Sequence, residues 1–454
     1  MFTFSGFRPL LTVTALAAAS LTVSTAPAVA DGETCDGKPA TMVITEAPDT
    51  GSNYPAVDGT SGDDVIVVTT PDGLTVNGLG GNDTICGAAL TRMSGGDGND
   101  ELWDEFSDSS QGGYVEGDGG DDVIHAGDNG PFMVGGPGSD VLLGGDGSDF
   151  MIGGTRLTTT TAPDVPDNDT MIGGDGNDGM IADWGDDTLT GGNGEDHLTL
   201  GLAFTDADEG CGVIAANATL TVADGTVTGF GEDTFTGFES YAGGTRKSTL
   251  IGTPGPDYLS SELCGTTHLV GLGGDDRLEG SSPGDGKEAG VISGNRGNDQ
   301  ISFTGPYDVH AGKGDDQIRL VQSDFIDAFP GAEIQGSDGV DRISLVGFYH
   351  GEISHLDLRR GIKSGFTDKW LPIQGVENAR RIVYPGARLS DTMRITGTAG
   401  PNILTGPPST KKYRTILRGL AGNDRLIGDA NDTAYGGPGR DLCRAGQRHG
   451  CERR

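Results

Sequence analysis

Large apolar residues recur every nine positions through much of this chain, each with polar neighbours and each following a glycine-rich stretch. From residue 117 the sequence reads GDGGDDVIH, AGDNGPFMV, GGPGSDVLL and GGDGSDFMI, four units in one register. After an insertion at 153–163 the register resumes at residue 164 with DVPDNDTMI, GGDGNDGMI, ADWGDDTLT and GGNGEDHLT. A period of this length predicts a repeat architecture built of short turns and strands.

Further single copies flank these blocks. They begin at residues 59, 78 and 95 on one side and at 252, 271, 294, 311, 336, 397, 419 and 436 on the other. The shared pattern is G-G-x-G-x-D-x-U-x, where U is a large apolar residue. Glycine adopts positive φ without steric cost, so the first six positions predict a turn, and the last three predict a short strand with its apolar side chain inward. Two units then complete one coil, turns on one edge lie 18 residues apart, and coils stack at about 4.8 Å.

This pattern resembles the RTX (hemolysin-type) calcium-binding nonapeptide repeat. The resemblance covers most of 59–200 and returns intermittently as far as residue 444. It implies an all-β fold, a right-handed parallel β-roll or β-solenoid with calcium-binding turns. Calcium–oxygen distances of about 2.3–2.6 Å let one ion between stacked turns reach carboxylate and glycine carbonyl oxygens of both. Hard oxygen ligands at this density favour Ca²⁺, in multiple copies, over zinc or copper.

The predicted metal ligands are the aspartates at the sixth position of each unit. They are Asp64, Asp83, Asp100, Asp122, Asp140, Asp149, Asp169, Asp178, Asp187, Asp196, Asp257, Asp276, Asp299, Asp316, Asp341, Asp424 and Asp441. Asn402 replaces the aspartate of its unit, which costs a charge. The alternative for any single aspartate is an Asx turn, in which the carboxylate bonds its own backbone.

The coil period predicts which aspartates share an ion. The expected pairs are Asp122 with Asp140, Asp169 with Asp187, and Asp178 with Asp196. Asp149 should lack a partner, because Pro131 occupies the sixth position two units earlier. Spacers separate the units of 252–344, so we expect fewer or weaker sites there.

Two longer segments, 201–251 and 345–396, interrupt the nonapeptides and end in similar sequences, which suggests a second, longer repeat that continues the coil with wider loops. The predicted fold is either one continuous solenoid or two blocks that are split near 201–251. The expected divisions are a signal peptide (1–30), an N-terminal cap (31–58), the first RTX block (59–200), a longer-loop segment (201–251), an interrupted RTX block (252–344), a second longer-loop segment (345–396), and C-terminal repeats with a cap (397–454).

The N-terminus is typical of a secretory signal peptide, with Arg8 before an apolar stretch and a small-residue cleavage site at Ala28–Ala30. Secretion to an extracellular location, free or attached to the cell surface, follows, and no transmembrane segment is expected in the mature chain. Secreted chains form disulfides, and proximity in sequence suggests three. The suggested pairs are Cys35 with Cys86, Cys211 with Cys264, and Cys443 with Cys451.

Amino-acid composition excludes some classes of protein. The 454 residues include 81 Gly, with 67 Asp and Glu against 30 Lys and Arg, for a formal net charge of -37. Such a chain is a poor candidate for a helical bundle or a nucleic-acid-binding protein, and its carboxylates need neutralisation. Residues 342–454 are the exception, with 19 Lys and Arg against 10 Asp and Glu. Their clusters, Arg359–Arg360, Arg380–Arg381 and Lys411–Lys412, form either a solvated face or an attachment site for an anionic cell-wall polymer or glycan.

No catalytic motif emerges from the sequence. The seven histidines are scattered and form no H-E-x-x-H. Residues 280–284 spell G-S-S-P-G, but the proline after the serine removes a backbone donor that an oxyanion hole needs. We therefore expect a secreted calcium-binding protein whose β-roll folds on calcium binding and which serves as a structural, adhesive or matrix module. The alternative is a secreted carbohydrate-active or other enzyme with its site on a solenoid face.

Overall fold

The computed structural model describes most of the chain outside its N-terminus and several loops. The described residues are 33–49, 55–70, 73–87, 92–104, 113–128, 130–154, 167–201, 204–206, 210–212, 217–245, 247–261, 266–281, 289–305, 307–321, 332–346, 353–364, 370–382, 392–408 and 414–452. The predicted signal peptide lies outside them. No helix in this part of the chain is long and apolar enough to cross a membrane.

Successive strands alternate between two faces of one solenoid, because each glycine-rich turn reverses the chain after only a few residues. Sheet 1 forms one face and runs from one end of the fold to the other. Its strands are Ala56–Asp58, Thr75–Gly80, Arg92–Asp97, Tyr114–Gly119, Phe132–Val134, Phe150–Ile152, Gly179–Ala182, His197–Leu200, Ser240–Gly243, Tyr258–Ser261, Arg277–Gly280, Gln300–Phe303, Gln317–Val321, Arg342–Val346, Asn378–Ile382, Ile403–Thr405, Arg425–Ile427 and Leu442–Arg444.

Sheet 2 forms the opposite face. Its strands are Met42–Ile44, Val65–Val68, Thr84–Gly87, Glu101–Asp104, Val123–His125, Val141–Gly145, Thr170–Asp175, Thr188–Asn193, Asn217–Thr221, Thr226–Thr228, Glu232–Thr236, Lys247–Ile251, Thr266–Val270, Gly290–Arg296, Tyr307–Lys313, Ile334–Asp338 and Ile373–Gln374. Sheet 3 then takes over in the alternation, with strands Ile353–Asp357, Gly361–Ser364, Trp370–Leu371, Thr392–Thr396, Arg414–Arg418, Thr433–Tyr435 and Gln447–His449. Two small hairpins, Thr34–Cys35 with Lys38–Pro39 and Phe204–Asp206 with Gly210–Gly212, and a 3-10 helix, Val222–Asp224, lie outside this alternation.

Each strand of sheet 1 pairs in parallel with the strands one coil before and one coil after it. The sheets are open, because the registers describe a linear series and pair no first strand with a last one among the described residues. The fold is therefore an all-β parallel solenoid, as the repeat pattern predicts.

The eighth-position apolar residues form the core between the two faces. Ile124 pairs with Leu142 on sheet 2, Met133 pairs with Met151 on sheet 1, and all four are fully buried. Each buried side chain of this size contributes about 1.5–3 kcal/mol relative to an exposed one. Other strands bury two such residues, as Leu198 with Leu200 and Ile318 with Leu320 show, so the core is a stack of one or two apolar side chains per strand.

The longer segments extend the coil without breaking it. In 217–236 the chain makes an antiparallel meander, with Asn217–Thr221 against Thr226–Thr228 and that strand against Glu232–Thr236. Residues 353–371 repeat this arrangement with Ile353–Asp357, Gly361–Ser364 and Trp370–Leu371. Sheet 1 runs past both meanders, so the strands form one solenoid rather than two blocks.

Disulfides fasten both ends of the solenoid. Cys35 bonds Cys86 and holds the N-terminal hairpin against the first coils of sheet 2. Cys443 bonds Cys451 beside the last strand of sheet 1. These two predicted pairs are confirmed, while the third prediction involves Cys264, which lies outside the described residues.

Candidate metal centres

The sixth-position aspartates stack in two rows, one along each turn edge. Ladder I occupies the turns that lead from sheet 1 into sheet 2. Its members are Asp64, Asp83, Asp100, Asp122, Asp140, Asp169, Asp187 and Asp233, and the backbone N–H of each donates to Oδ1 of the next at 2.7–3.0 Å. The carboxylate of one coil is thus fixed by the backbone of the coil before it.

Ladder II occupies the opposite edge, in the turns that lead into sheet 1. Its members are Asp149, Asp178, Asp196, Glu239, Asp257, Asp276, Asp299, Asp316, Asp341, Glu377, Asn402, Asp424 and Asp441. The same N–H to carboxylate bonds, at 2.7–3.0 Å, connect Asp149 through to Glu239, Asp257 through to Glu377, and Asn402 through to Asp441.

The expectation of two nonapeptides in every coil is wrong outside the central block. In the described residues before Asp140, the sixth-position aspartates lie on ladder I alone. From Asp257 onward, the sixth-position residues lie on ladder II. Outside the central block, hydrogen-bonded neighbours in the ladders are 17 to 36 residues apart, because the other half of the coil varies in length. The described parts of the spacers in 252–344 include strands of sheet 2, such as Thr266–Val270, and the stack continues through them. The strength of these sites stays a prediction.

The three predicted pairs are all adjacent, with N–H to Oδ1 distances of 2.8 Å. As expected, Asp149 has no partner in the preceding coil, but it does have one in the following coil. Its own N–H donates to Oδ1 of Asp178 in the next coil, across the insertion. Toward the preceding coil, Pro131 has no N–H to give, and both carboxylate oxygens of Asp149 lack a hydrogen-bond partner.

The second oxygen of these carboxylates is the feature that points to a ligand. Oδ2 is buried and has no hydrogen-bond partner in Asp83, Asp100, Asp122, Asp140, Asp149, Asp169, Asp178, Asp187, Asp196, Asp233, Asp276, Asp299, Asp316, Asp341, Asp424 and Asp441. A buried polar group without a partner costs about 1–3 kcal/mol, and more when it is charged. Such a series requires a compensating cation or proton.

Glycine at the first position shapes the surroundings of this oxygen. A Cβ on Gly117 would meet Oδ2 of Asp122 and the carbonyl oxygen of Gly135 in the next coil. The same contacts surround Gly95, with Asp100 and the carbonyl of Gly117. Carboxylate and carbonyl oxygens of adjacent coils therefore converge at each turn, which is the hard donor set that calcium prefers.

Burial sets the protonation of the metal-free carboxylates. Loss of solvation raises the pKa of Asp122 to about 7, against the lowering effect of the Asp100 N–H. Deeper burial raises the pKa of Asp140 to about 9 and that of Asp187 to about 10, with neighbouring carboxylates adding to the effect. Without a cation these groups would hold protons near neutral pH, so a bound metal would displace them.

Two predicted ligands, Asp64 and Asp257, differ from the rest. Oδ2 of Asp64 accepts hydrogen bonds from the backbone N–H and the hydroxyl of Thr60, at 2.6 and 2.8 Å. The N–H and hydroxyl of Thr253 bond Asp257 in the same way, at 2.6 and 3.1 Å. Both threonines replace the second glycine of their units, so these turns match the Asx alternative better than a metal site. Asn402 also sits in such a turn, bonded to Thr398.

The fifth position carries a second ladder that sequence reasoning missed. The N–H of Asp121 donates to Oδ1 of Asn99 at 3.2 Å, and Oδ1 of Asp121 accepts from Ser139 at 3.0 Å. These bonds run opposite to those of the sixth position, because here the side chain serves the following coil. The preference for Asn, Asp or Ser at this variable position is the signal that could have revealed it.

Four acidic residues of the ladders or beside them were also missed. Asp233 is the last member of ladder I. It is the sixth residue of TGFGEDTFT, residues 228–236, a divergent nonapeptide within the longer segment. Glu239 and Glu377 stand in ladder II, where their longer side chains reach the preceding N–H from non-consensus turns. Asp432 belongs to an eight-residue unit, and both of its oxygens are hydrogen-bonded, to the N–H groups of Thr415 and Asp429.

Only some of the basic side chains that were predicted to bind an anionic polymer are exposed. Arg381 is buried and bonds the sulfur of Met393 at 3.0 Å. Arg359 forms an ion pair with Asp357 at 2.9 Å, and Arg380 is exposed on sheet 1. Lys411–Lys412 lies outside the described residues. Of the G-S-S-P-G stretch, Ser281 is a turn residue whose N–H donates to Ser261 Oγ at 2.6 Å, and the residues after it are likewise outside the described ranges.

Comparison with protein families agrees with this geometry. A family model for the RTX calcium-binding nonapeptide repeat matches four stretches, residues 114–129, 132–155, 165–198 and 414–443. Comparison with curated proteins finds no match. The matched stretches include turns of ladder I, of ladder II and of the C-terminal end, and the model that they match describes a calcium-binding repeat.

Proposed function

We propose that this chain of RTX calcium-binding nonapeptide repeats is a secreted protein whose solenoid folds when calcium fills its turns. The observation that carries the proposal is the row of buried Oδ2 atoms without hydrogen-bond partners, many of which lie beside a backbone carbonyl oxygen of the next coil. So many like charges cannot be buried side by side unless a cation or a proton neutralises them. Calcium outside the cell supplies the positive charge that neutralises these carboxylates, so the chain folds only after it has left the cell.

Circular dichroism of the purified full chain in millimolar calcium and in excess EDTA tests this. We expect a β-sheet spectrum with calcium and a largely disordered spectrum without it, restored when calcium returns. Magnesium at the same concentration serves as the control for ionic strength, because its small octahedral shell suits these turns poorly. An identical β-spectrum in both conditions, with no calcium bound to the dialysed protein, would falsify the proposal.

We further propose that the loaded solenoid is a structural or adhesive module of the cell surface or matrix. Its support is the outward face of sheet 1 at the C-terminal end. The exposed arginines there are Arg319, Arg342, Arg380, Arg425 and Arg444, and the outward positions of these described strands carry no Asp or Glu. Arginine presents paired donors that suit the carboxylates or phosphates of an anionic polymer or glycan.

Retention on cells of the source organism tests the attachment. We expect salt to release the wild-type protein, and the charge reversal R319E/R380E to lower retention at physiological ionic strength. R296E/K313E is the matched control, since Arg296 and Lys313 are exposed on sheet 2 and not on this face. Equal retention of all three proteins would leave calcium folding intact and remove the adhesive role of this face.

A further inference from the structure

One turn of ladder I departs from the repeat in a way that adds a ligand. In the coil that contains Asp187, the second position of the unit is Asp183, where the neighbouring coils have Gly154 and Gly201. Asp183 is only 3% exposed. Its Oδ2 accepts a hydrogen bond from the Gly154 N–H at 3.3 Å, while its Oδ1 has no partner.

The free oxygen of Asp183 lies among other ligand atoms. Carboxylate oxygens of Asp169, Asp183 and Asp187 all lie within 4.8 Å of one another. Oδ2 of Asp169 and of Asp187 are also buried without hydrogen-bond partners. Three buried carboxylates so close together repel strongly unless a cation lies between them.

The surroundings add negative charge. Asp167 takes the place of the fourth-position glycine in its unit and is buried, with Oδ1 accepting from the Gly138 N–H at 3.1 Å. The charged neighbours that act on Asp183 are Asp167, Asp169 and Asp233, and none of them is positive. The unit of Asp122 also has an aspartate at its second position, but Asp118 is only partly buried and its Oδ2 accepts a hydrogen bond from the Ser94 hydroxyl. Among the described residues, the three carboxylates that come together in this way are those of Asp169, Asp183 and Asp187.

We propose that Asp169, Asp183 and Asp187 form a three-carboxylate calcium site that is the tightest in the chain and the last to release its ion. The inference rests on the proposed calcium function and extends it to a residue outside the sixth position. Affinity in oxygen sites rises with the number of charged ligands, provided that the cage is rigid. In sequence, this turn lies between the insertion at 153–163 and the longer segment at 201–251, so an ion here would join the two coils that stand between these interruptions.

Graded removal of calcium from the loaded full chain tests the proposal. Chelators of increasing affinity are added, and protein-bound calcium is measured by atomic absorption at each free calcium concentration. The variant is D183N, and the matched control is D146N, which removes the same charge from an exposed turn position. We expect the last ion to leave D183N at a free calcium concentration about tenfold or more above that for wild type and D146N.

A second variant and a second signal guard against a folding defect. D183G restores the glycine found in the adjacent coils, so it should fold in excess calcium and show the same early release. Terbium gives an independent readout, because the next residue, Trp184, can sensitise emission from an ion bound here. The first equivalent of terbium should give indole-excited emission in wild type that W184F removes.

Release curves of folded D183N or D183G that coincide with wild type would overturn the site. First-equivalent terbium emission that survives W184F unchanged would overturn it too. These outcomes differ from a failure of the proposed function, in which the wild-type protein itself would bind no calcium.

Discussion

The backbone N–H of Asp122 donates to Oδ1 of Asp140 in the next coil at 2.8 Å, while Oδ2 of Asp140 is buried without a hydrogen-bond partner. One carboxylate oxygen therefore aligns the coils, and the other remains available for a cation. The same two roles of Oδ1 and Oδ2 recur along both ladders. Because different oxygens serve stacking and metal binding, the two can be tested separately.

Asp140→Asn should change stability in opposite directions with and without calcium. The asparagine keeps an acceptor for the Asp122 N–H, so stacking survives. In calcium the lost charge should weaken the site about tenfold, or about 1.4 kcal/mol of unfolding free energy. In EDTA the variant should retain more β-structure than wild type, because the neutral asparagine does not need the proton that a buried Asp140 must take up. Urea unfolding in calcium and circular dichroism in EDTA measure the two effects.

D64N is the control for that experiment. The threonine-bonded turn of Asp64 resembles that of Asn402, whose Nδ2 donates to Thr398 Oγ1 at 3.0 Å. We therefore expect D64N to shift unfolding in calcium by no more than about 0.5 kcal/mol and to leave the amount of β-structure in EDTA unchanged. A calcium-dependent loss in D64N as large as in D140N would contradict the distinction between the two kinds of turn.

A methyl group at the first glycine of a unit should disrupt its turn. In Gly117→Ala the new Cβ would meet Oδ2 of Asp122 and the carbonyl oxygen of Gly135. We expect a loss of about 1–3 kcal/mol in calcium, measured by chemical unfolding. Gly62→Ala is the matched control, since a Cβ at Gly62 has no heavy atom within 4 Å. Equal effects of the two substitutions would mean that the cradle around Oδ2 is not tightly packed.

Protons should partly replace calcium in the metal-free protein. Burial raises the pKa of Asp122 to about 7, of Asp140 to about 9 and of Asp187 to about 10. The folded metal-free state therefore binds protons more tightly than the unfolded state. Its stability is greatest below the unfolded pKa of about 3.9 and falls as pH rises through the folded values.

In EDTA, circular dichroism should show more β-structure at pH 5 than at pH 8. In saturating calcium this difference should shrink, since the metal holds the carboxylates ionised. A metal-free protein that is more structured at pH 8 than at pH 5 would reverse the sign and show that these carboxylates are not buried as described.

The two terminal disulfides should differ in their contribution. Cys35 and Cys86 are 51 residues apart in sequence, and Cys443 and Cys451 are 8 apart. Closing these loops restricts the unfolded chain by about 4 and about 2.5 kcal/mol, respectively. The double substitution C35S/C86S should therefore lower the midpoint of thermal unfolding in calcium more than C443S/C451S. Hydrogen exchange should show the loss of protection first in the N-terminal coils.

The repeat unit was predictable because its causes are local. Asp140 needs an apolar Leu142 two residues later and a glycine at Gly135 five residues earlier, and all three stand in one short stretch of sequence. The inward apolar residue and the adjacency of Asp122 with Asp140 follow from that spacing, and the parallel solenoid is what the resemblance to the RTX repeat implies. The substitution of Glu239 for aspartate was less visible, since it lies in a turn without the consensus glycines.

Which coils stack on each other was decided by the tertiary structure. Asp140 meets Asp169 across an insertion because extra residues add little closure entropy once the flanking strands are paired. The sequence by itself determined the chemistry of each turn, through residue types whose conformational and ligand preferences act within nine residues. Only the fold decided that Asp64 is closed by Thr60, that ladder I gives way to ladder II, and that Asp183 joins a pair of aspartates. Those outcomes depend on backbone donors and free oxygens contributed by other coils, which no local spacing specifies.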